Sequence, residues 1–278
     1  MARDPKPGSM SPPHGNSIVD TSVAQAARAY DYLLGGVDNF EVDREAIRQM
    51  YVTADGVELA RKRVRAQRDF IGRAVRYLAG EVGIRQFLDL GTGIPNDDDV
   101  QGVAQATAPD CRVVYVDHDP VVLAHAHKLQ ASTSEGKTSF VFGDIRDHED
   151  IIRHAAETLD FRQPIALVMA GLLHHFRDEE GPASMVRRYL DGLRSGSYLV
   201  LDNIGRENDA LADDFGEDTT AFPGADFTLV PRTSAEVAKF FEGLELVEPG
   251  LVFVDHWRPD GPLPDYETRH PCGVARKP

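Results

Sequence analysis

The sequence predicts an α/β fold, a mostly parallel sheet covered by helices on both faces and closed by an antiparallel last strand. Three observations carry this reading. Short apolar runs alternate with helical ones between residues 86 and 202, the rhythm of strands joined by crossover helices. Each run stops at an acid or a glycine: Asp89 with Gly91, Asp117, Gly143 with Asp144, Gly171, and Asp202. Finally, 278 residues that are 42% apolar suffice to bury one sizeable core.

Residues 1–17 are rich in Pro, Ser and Gly and are expected to be disordered. Residues 18–80 read as an N-terminal helical cap. Within it Val23, Ala26, Ala27, Tyr30, Leu33 and Leu34 recur at helical spacing, and Gly35-Gly36 ends the run. A short helix follows over 42–51. A longer one over 57–79 has an apolar stripe at Val57, Ala60, Val64, Ile71, Val75 and Leu78. Its other face carries Arg61, Lys62, Arg63, Arg65, Arg68, Arg73 and Arg76, read as solvated.

Residues 81–278 read as the sheet domain. Strands are expected at 86–90, 112–116, 139–142, 165–170 and 198–202, with helices at 98–108, 120–130, 149–157 and 182–193 between them. Thr233 to Glu236 forms a capping box that opens a helix carrying Val237, Phe240 and Phe241. Segments 244–247 and 251–254 flank Pro249-Gly250 and read as an antiparallel hairpin that completes the sheet. Residues 205–232 interrupt the rhythm with seven acids, three phenylalanines and two prolines. That stretch is too long for an ordinary connection, and its apolar rings favour a lid over a disordered insertion.

Charge and cysteine content exclude several classes. Thirty basic against 45 acidic residues give a net charge of −15, which argues against nucleic acid or an anionic membrane as partner. Cys111 and Cys272 make neither a disulfide framework nor a metal cluster, so a reducing cytoplasm is expected. His125 and His127 lie two apart and do not share a helical face, and no metal site is expected. The first residues, with Pro5, Pro7, Pro12 and Pro13 and no apolar stretch, do not read as a signal peptide. The longest apolar stretch, 165–173, is too short to span a bilayer.

Chemistry concentrates at residues 87–95, FLDLGTGIP. Apolar Phe87, Leu88 and Leu90 suit a buried strand, while Gly91 and Gly93 let a ligand approach the backbone. Asp89 is a carboxylate at the end of a buried strand, where open α/β sheets bind ligands. A dinucleotide fingerprint needs a third glycine where Asn96 stands. Asp97, Asp98 and Asp99 then open the next helix and would repel a phosphate. S-adenosylmethionine has no phosphate and carries a sulfonium and an ammonium, so this acidic turn suits it better. Asp117, ending the second strand, can accept both ribose hydroxyls. Asp119 before Pro120 reads as the helix cap instead.

On these residues the chain resembles class I S-adenosylmethionine-dependent methyltransferases. Pro95 and Asn96 depart from their common third-glycine motif. Together with Arg28, Tyr30-Asp31-Tyr32-Leu33-Leu34-Gly35-Gly36 and Asp38-Asn39-Phe40, that departure resembles a narrower bacterial family of S-adenosyl methyltransferases with unassigned substrate. The resemblance implies a Rossmann-like, seven-stranded, mostly parallel sheet with an antiparallel last strand. It implies adenine contacts at Asp144 and Ile145, and further cofactor contacts at Asp89, Gly91, Thr92, Gly93, Asp117, His118 and Ala170. Tyr32 and Asn39 belong with these as candidates in the cap over the cofactor. His174 and His175 follow the fourth strand, where an imidazole can take a proton from an acceptor, and His174 is favoured. Asp202 is a further acceptor-side candidate. The expected activity is methyl transfer to a small-molecule acceptor by direct displacement. The rival is a cofactor-binding regulatory protein without transferase activity, and a nicotinamide-linked oxidoreductase is opposed by Asn96 and the acids after it.

Overall fold

The computed structural model describes residues 20–51, 56–95, 98–129, 132–206 and 224–278. The segment 1–17 and, from the expected lid, Phe215 and Phe222 lie outside them, as do Asn96 and Asp97. Helices α1 (Ala26–Leu34), α2 (Glu41–Met50) and α3 (Gly56–Tyr77) open the chain, and a π-turn over Leu78–Val82 extends α3. The strands are β1 (Gln86–Leu90), β2 (Arg112–Asp117), β3 (Lys137–Phe142), β4 (Ala166–Met169) and β5 (Tyr198–Asp202). Between them run α4 (Val100–Thr107), α5 (Pro120–Leu129), α6 (His148–Ala155) and α7 (Pro182–Asp191). A short helix α8 (Ser234–Ala238) precedes β6 (Glu245–Leu246), β7 (Val252–Phe253) and β8 (Pro271–Arg276).

The two-residue period of the strands divides their side chains between two cores. Phe87, Val113, Tyr115, Val168 and Val200 face α3, α4 and Trp257. Leu88, Leu90, Val114, Val116, Leu167 and Leu201 face α6 and α7. Each such side chain, fully buried, contributes roughly 1.5–3 kcal/mol. A third cluster joins α1, α2 and the first half of α3 through Leu33, Ile47, Met50 and Val64. There Arg28 and Asp43, both buried, weld α1 to α2. Asp43 accepts from Arg28 Nε at 3.2 Å, from the Gln25 amide at 3.0 Å and from the Phe40 amide at 2.8 Å.

The strand order is β3-β2-β1-β4-β5-β8-β6, with β7 also on β8. β1 to β5 run parallel, and β8 lies antiparallel to β5. The order reverses between β1 and β4, which opens a crevice at their carboxyl ends.

The closing strands differ from the sequence expectation. Segments 244–247 and 251–254 do not form a hairpin; β6 and β7 each pair with β8, Leu246 against Ala275 and Val252 against Cys272. They act as one edge strand interrupted at Pro249-Gly250. Counted so, the sheet has the seven strands the resemblance implies, and the antiparallel strand is Pro271–Arg276. The basic face of α3 is not uniformly solvated either. Arg63 and Arg73 are buried, and Arg73 donates from Nε to the Trp257 carbonyl at 2.9 Å.

The capping box at α8 is formed. Thr233 Oγ1 accepts from the Glu236 amide at 3.3 Å, and Glu236 Oε2 accepts from the Thr233 amide at 2.8 Å. Thr233→Ala is expected to cost about 1 kcal/mol, read as a lowered urea midpoint with unchanged slope.

Candidate active site

A cavity of about 1090 Å³ occupies the crevice at the strand ends. Small-molecule sites span roughly 300–1,000 Å³, so this one has room for more than one ligand. Sheet order arranges its lining. Asp144 and Ile145 follow β3, Asp117 and His118 close β2, and Gly91, Thr92 and Gly93 follow β1. Ala170, His174 and His175 follow β4. Ten of the fourteen residues singled out from sequence therefore converge on one space.

The turn after β1 explains its glycines. Gly91 and Gly93 have φ of 73° and 71°, in the left-handed region that side chains disfavour. A Cβ on Gly91 would stand 2.6 Å from Leu172 Cδ1, whereas one on Gly93 meets nothing within 4 Å. Gly91 is needed for packing; the surface at Gly93 is open to a ligand. Asp117 pins this turn, accepting from the Gly93 amide at 2.8 Å through Oδ2 and from the Asp119 amide at 2.9 Å through Oδ1. Asp119 caps α5 through Val121 N at 2.7 Å, as its place before Pro120 suggests.

The other four residues stand behind the lining. Asp89 accepts from Thr92 Oγ1 at 3.3 Å, and burial raises its pKa to about 7. Asp202 is fully buried beneath the floor, accepting from Gln67 Nε2 at 2.6 Å and the Gly171 amide at 2.9 Å, and burial lifts it to about 7 as well. Tyr32 stacks under Arg61, its ring centroid 5.1 Å from the guanidinium carbon. Asn39 staples its loop, donating to Asp31 at 2.8 Å and accepting from Arg44 at 2.8 Å. Asp144 is held by Arg146, whose ion pair lowers its pKa.

The histidine pair has two environments. His175 Nδ1 donates to the Thr228 carbonyl at 3.0 Å, which leaves Nε2 as an acceptor, and its electrostatic neighbours are His118 and Asp117. His174 is buried, its Nδ1 has no hydrogen-bond partner among the described residues, and its neighbours are His175, His270 and Arg232. Burial depresses both pKa values, His174 most.

The profile of the S-adenosyl methyltransferase family matches residues 13–278, nearly the whole chain. The chain belongs to this family. It is an S-adenosylmethionine-dependent methyltransferase of class I fold. A DUF574 family protein from Streptomyces avermitilis is 39% identical, with a TM-score of 0.83 over 94% of this chain and 100% of its own. A candidate methyltransferase from Thermobifida fusca is 35% identical, with a TM-score of 0.79 over 97% of this chain and 99% of its own. Magnesium protoporphyrin IX methyltransferase from Synechocystis, crystallised with S-adenosylhomocysteine, shares the fold at 13% identity and a TM-score of 0.53, over 90% of this chain and 93% of its own. A search of the curated proteins finds no match. No helix among the described residues is long and apolar enough to cross a membrane.

Sequence reasoning missed several residues that line the methyltransferase's cavity, chiefly Tyr30, Gln67, Arg68 and His270. Tyr30 donates to Gln67 Oε1 at 2.8 Å. Arg68 reaches the Asp98 carbonyl at 3.1 Å and Asp99 at 3.4 Å, across the acidic start of α4. For two of them a signal existed. Tyr30, not Tyr32, belongs to the apolar stripe of α1, and Gln67 is a polar residue between Val64 and Ile71 on that of α3. His270 gives none, because only the docking of β8 beside β5 brings it here. Of the segment 205–232, expected to be a lid, Gly205, Ala225, Asp226, Phe227, Thr228 and Leu229 line the cavity.

Proposed function

We propose that the ends of β1, β2 and β3 hold S-adenosylmethionine, and that a small-molecule acceptor occupies the part of the cavity beyond β4. The Asp117 carboxylate carries this reading. Its two oxygens have about four acceptor positions, backbone amides fill two, and two remain for a pair of ribose hydroxyls. The lining as a whole is mixed in charge, six acids including Asp119 and Asp144 against five arginines including Arg68 and Arg146, so recognition rests on the Asp117 carboxylate itself. In this reading Asp89, behind Thr92, favours the ammonium through Thr92, and Ile145 with Asp144 meets adenine.

The cofactor brings an already activated methyl group, so the protein's task is to align the acceptor and exclude water. His174, on the acceptor side, is the candidate proton acceptor. Asp202 acts through Gln67 as a positioning residue, and Tyr32 and Asn39 brace the cap. The net charge of −15 disfavours nucleic acid and anionic membranes as partners. The buried free thiols of Cys111 and Cys272 fit a reducing cytoplasm.

Calorimetry with S-adenosylhomocysteine and with NAD tests the seat. The expected result is binding of the first alone, with a stabilisation of about 2.7 kcal/mol at 100 times its Kd. Binding of NAD alone would overturn the assignment.

A further inference from the structure

Two buried imidazoles on the acceptor side each carry a nitrogen that pairs with nothing among the described residues. His174 follows β4 and His270 precedes β8, and both line the cavity while only 6% exposed. The Nδ1 of each has no hydrogen-bond partner among the described residues. Leaving a buried polar nitrogen unpaired costs about 1–3 kcal/mol, so a ligand that pairs these two as it seats against the wall relieves that cost. His174 at the end of β4 and His270 at the start of β8 stand two and four strand positions from β2, about 10 and 19 Å at the usual strand spacing, on the acceptor side of the proposed ribose site.

The chemistry of the wall selects the ligand. Burial holds both imidazoles neutral, His270 falling to about 3, and a neutral imidazole offers one donor and one acceptor. A hydroxyl, which both gives and takes a hydrogen bond, is the complement. Arg232, paired with Asp178, lies near His174, and Arg63 and Asp255 both lie near His270, so the charges around the pair offset one another. Such a wall has no net charge to draw an ammonium or a carboxylate, and a neutral hydroxyl suits it. The surrounding surface includes Met50, Tyr51, Val64, Phe227 and Leu229, a thioether, two aromatic rings and branched aliphatics suited to a planar ring.

We propose that the acceptor is a phenol-type aromatic hydroxyl compound, held by its hydroxyl between His174 and His270 and methylated at oxygen. This rests on the cofactor reading above. The hydroxyl oxygen bonds to the methyl carbon as the carbon–sulfur bond breaks, leaving that electron pair on sulfur. The hydroxyl proton passes to the His174 imidazole and then to water. A weakly basic imidazole suffices, because a methylated hydroxyl is a far stronger acid than the starting phenol.

Calorimetry on the S-adenosylhomocysteine-loaded protein tests this with naphthol, methylnaphthalene, naphthylmethylammonium and naphthoate, all substituted at the same ring position. Naphthol is expected to bind about tenfold more tightly than methylnaphthalene, the worth of about one net hydrogen bond. His270→Phe is expected to abolish that preference while leaving the S-adenosylhomocysteine Kd unchanged. The wild-type comparison stands even if this variant fails to fold. Equal binding of naphthol and methylnaphthalene, tightest binding of the ammonium or the carboxylate, or no binding by any probe overturns the proposal. Failure of S-adenosylhomocysteine itself to bind would instead overturn the cofactor reading.

Discussion

Replacing Asp117 with alanine is expected to raise the Kd for S-adenosylhomocysteine by about 100-fold or more. Hydrogen bonds to an ionised acceptor contribute about 1.5–3 kcal/mol each, and two ribose hydroxyls on one carboxylate give about 3 kcal/mol at the low end. The carboxylate also joins two loops, because it accepts from the amides of Gly93 and Asp119. Alanine therefore removes the ligand's anchor and frees the turn whose open surface at Gly93 the ligand would cover. Asp117→Asn separates the two effects. Its one remaining acceptor oxygen can hold one amide, so the turn is partly kept while the charge is lost, and a weakening of about tenfold is expected. Calorimetric titration of both variants decides the matter, with folding checked by thermal melting. Wild-type affinity in Asp117→Ala would move the ribose away from the end of β2.

The parts of this fold legible in the sequence are those fixed by local chemistry. The turn after β1 is one, since two glycines after a buried apolar run leave few backbone choices. The cap at Asp119 and the capping box at Thr233 are others, because each is complete within four residues. What stayed hidden depends on distant docking. β8 has the composition Pro-Cys-Gly-Val-Ala-Arg, poor in the branched and aromatic residues that mark strands. It becomes a strand because β5 on one side and β6 and β7 on the other supply its partners. Missing it hid His270 and turned an interrupted edge strand into a hairpin around Pro249-Gly250. Arg63 misled for the same reason. A row of arginines reads as a solvated face, yet α1 and α2 fold over that part of α3 and bury it.

Asp202→Asn is expected to stabilise the protein at pH 8 and to change it little at pH 4. The Asp202 carboxyl is fully buried, and burial raises its pKa from 3.8 to about 7, against the opposing hydrogen bonds from Gln67 and Gly171. A carboxyl whose folded pKa is raised binds its proton more tightly when folded. Stability contributed by that proton is complete below the unfolded value near 4 and is lost as pH rises towards 7. Roughly three pH units correspond to about 4 kcal/mol, carried in full above pH 7. Asp89 has the same sign, but it is partly accessible to water and its share is smaller. Asparagine removes the ionisation, and its neighbours can adapt. In the wild type the chain of donors runs from Tyr30 to Gln67 to Asp202, at 2.8 and 2.6 Å. With asparagine the Gln67 amide turns over, accepts from Asn Nδ2 and donates to the Tyr30 oxygen, since a phenol both donates and accepts. Every polar group stays paired, and the Tyr30 hydroxyl proton is turned towards the cavity. Urea unfolding at pH 4 and pH 8 measures the difference. An equal stability change at both pH values would show that Asp202 does not titrate between them, and that Gln67 and Gly171 hold it charged throughout.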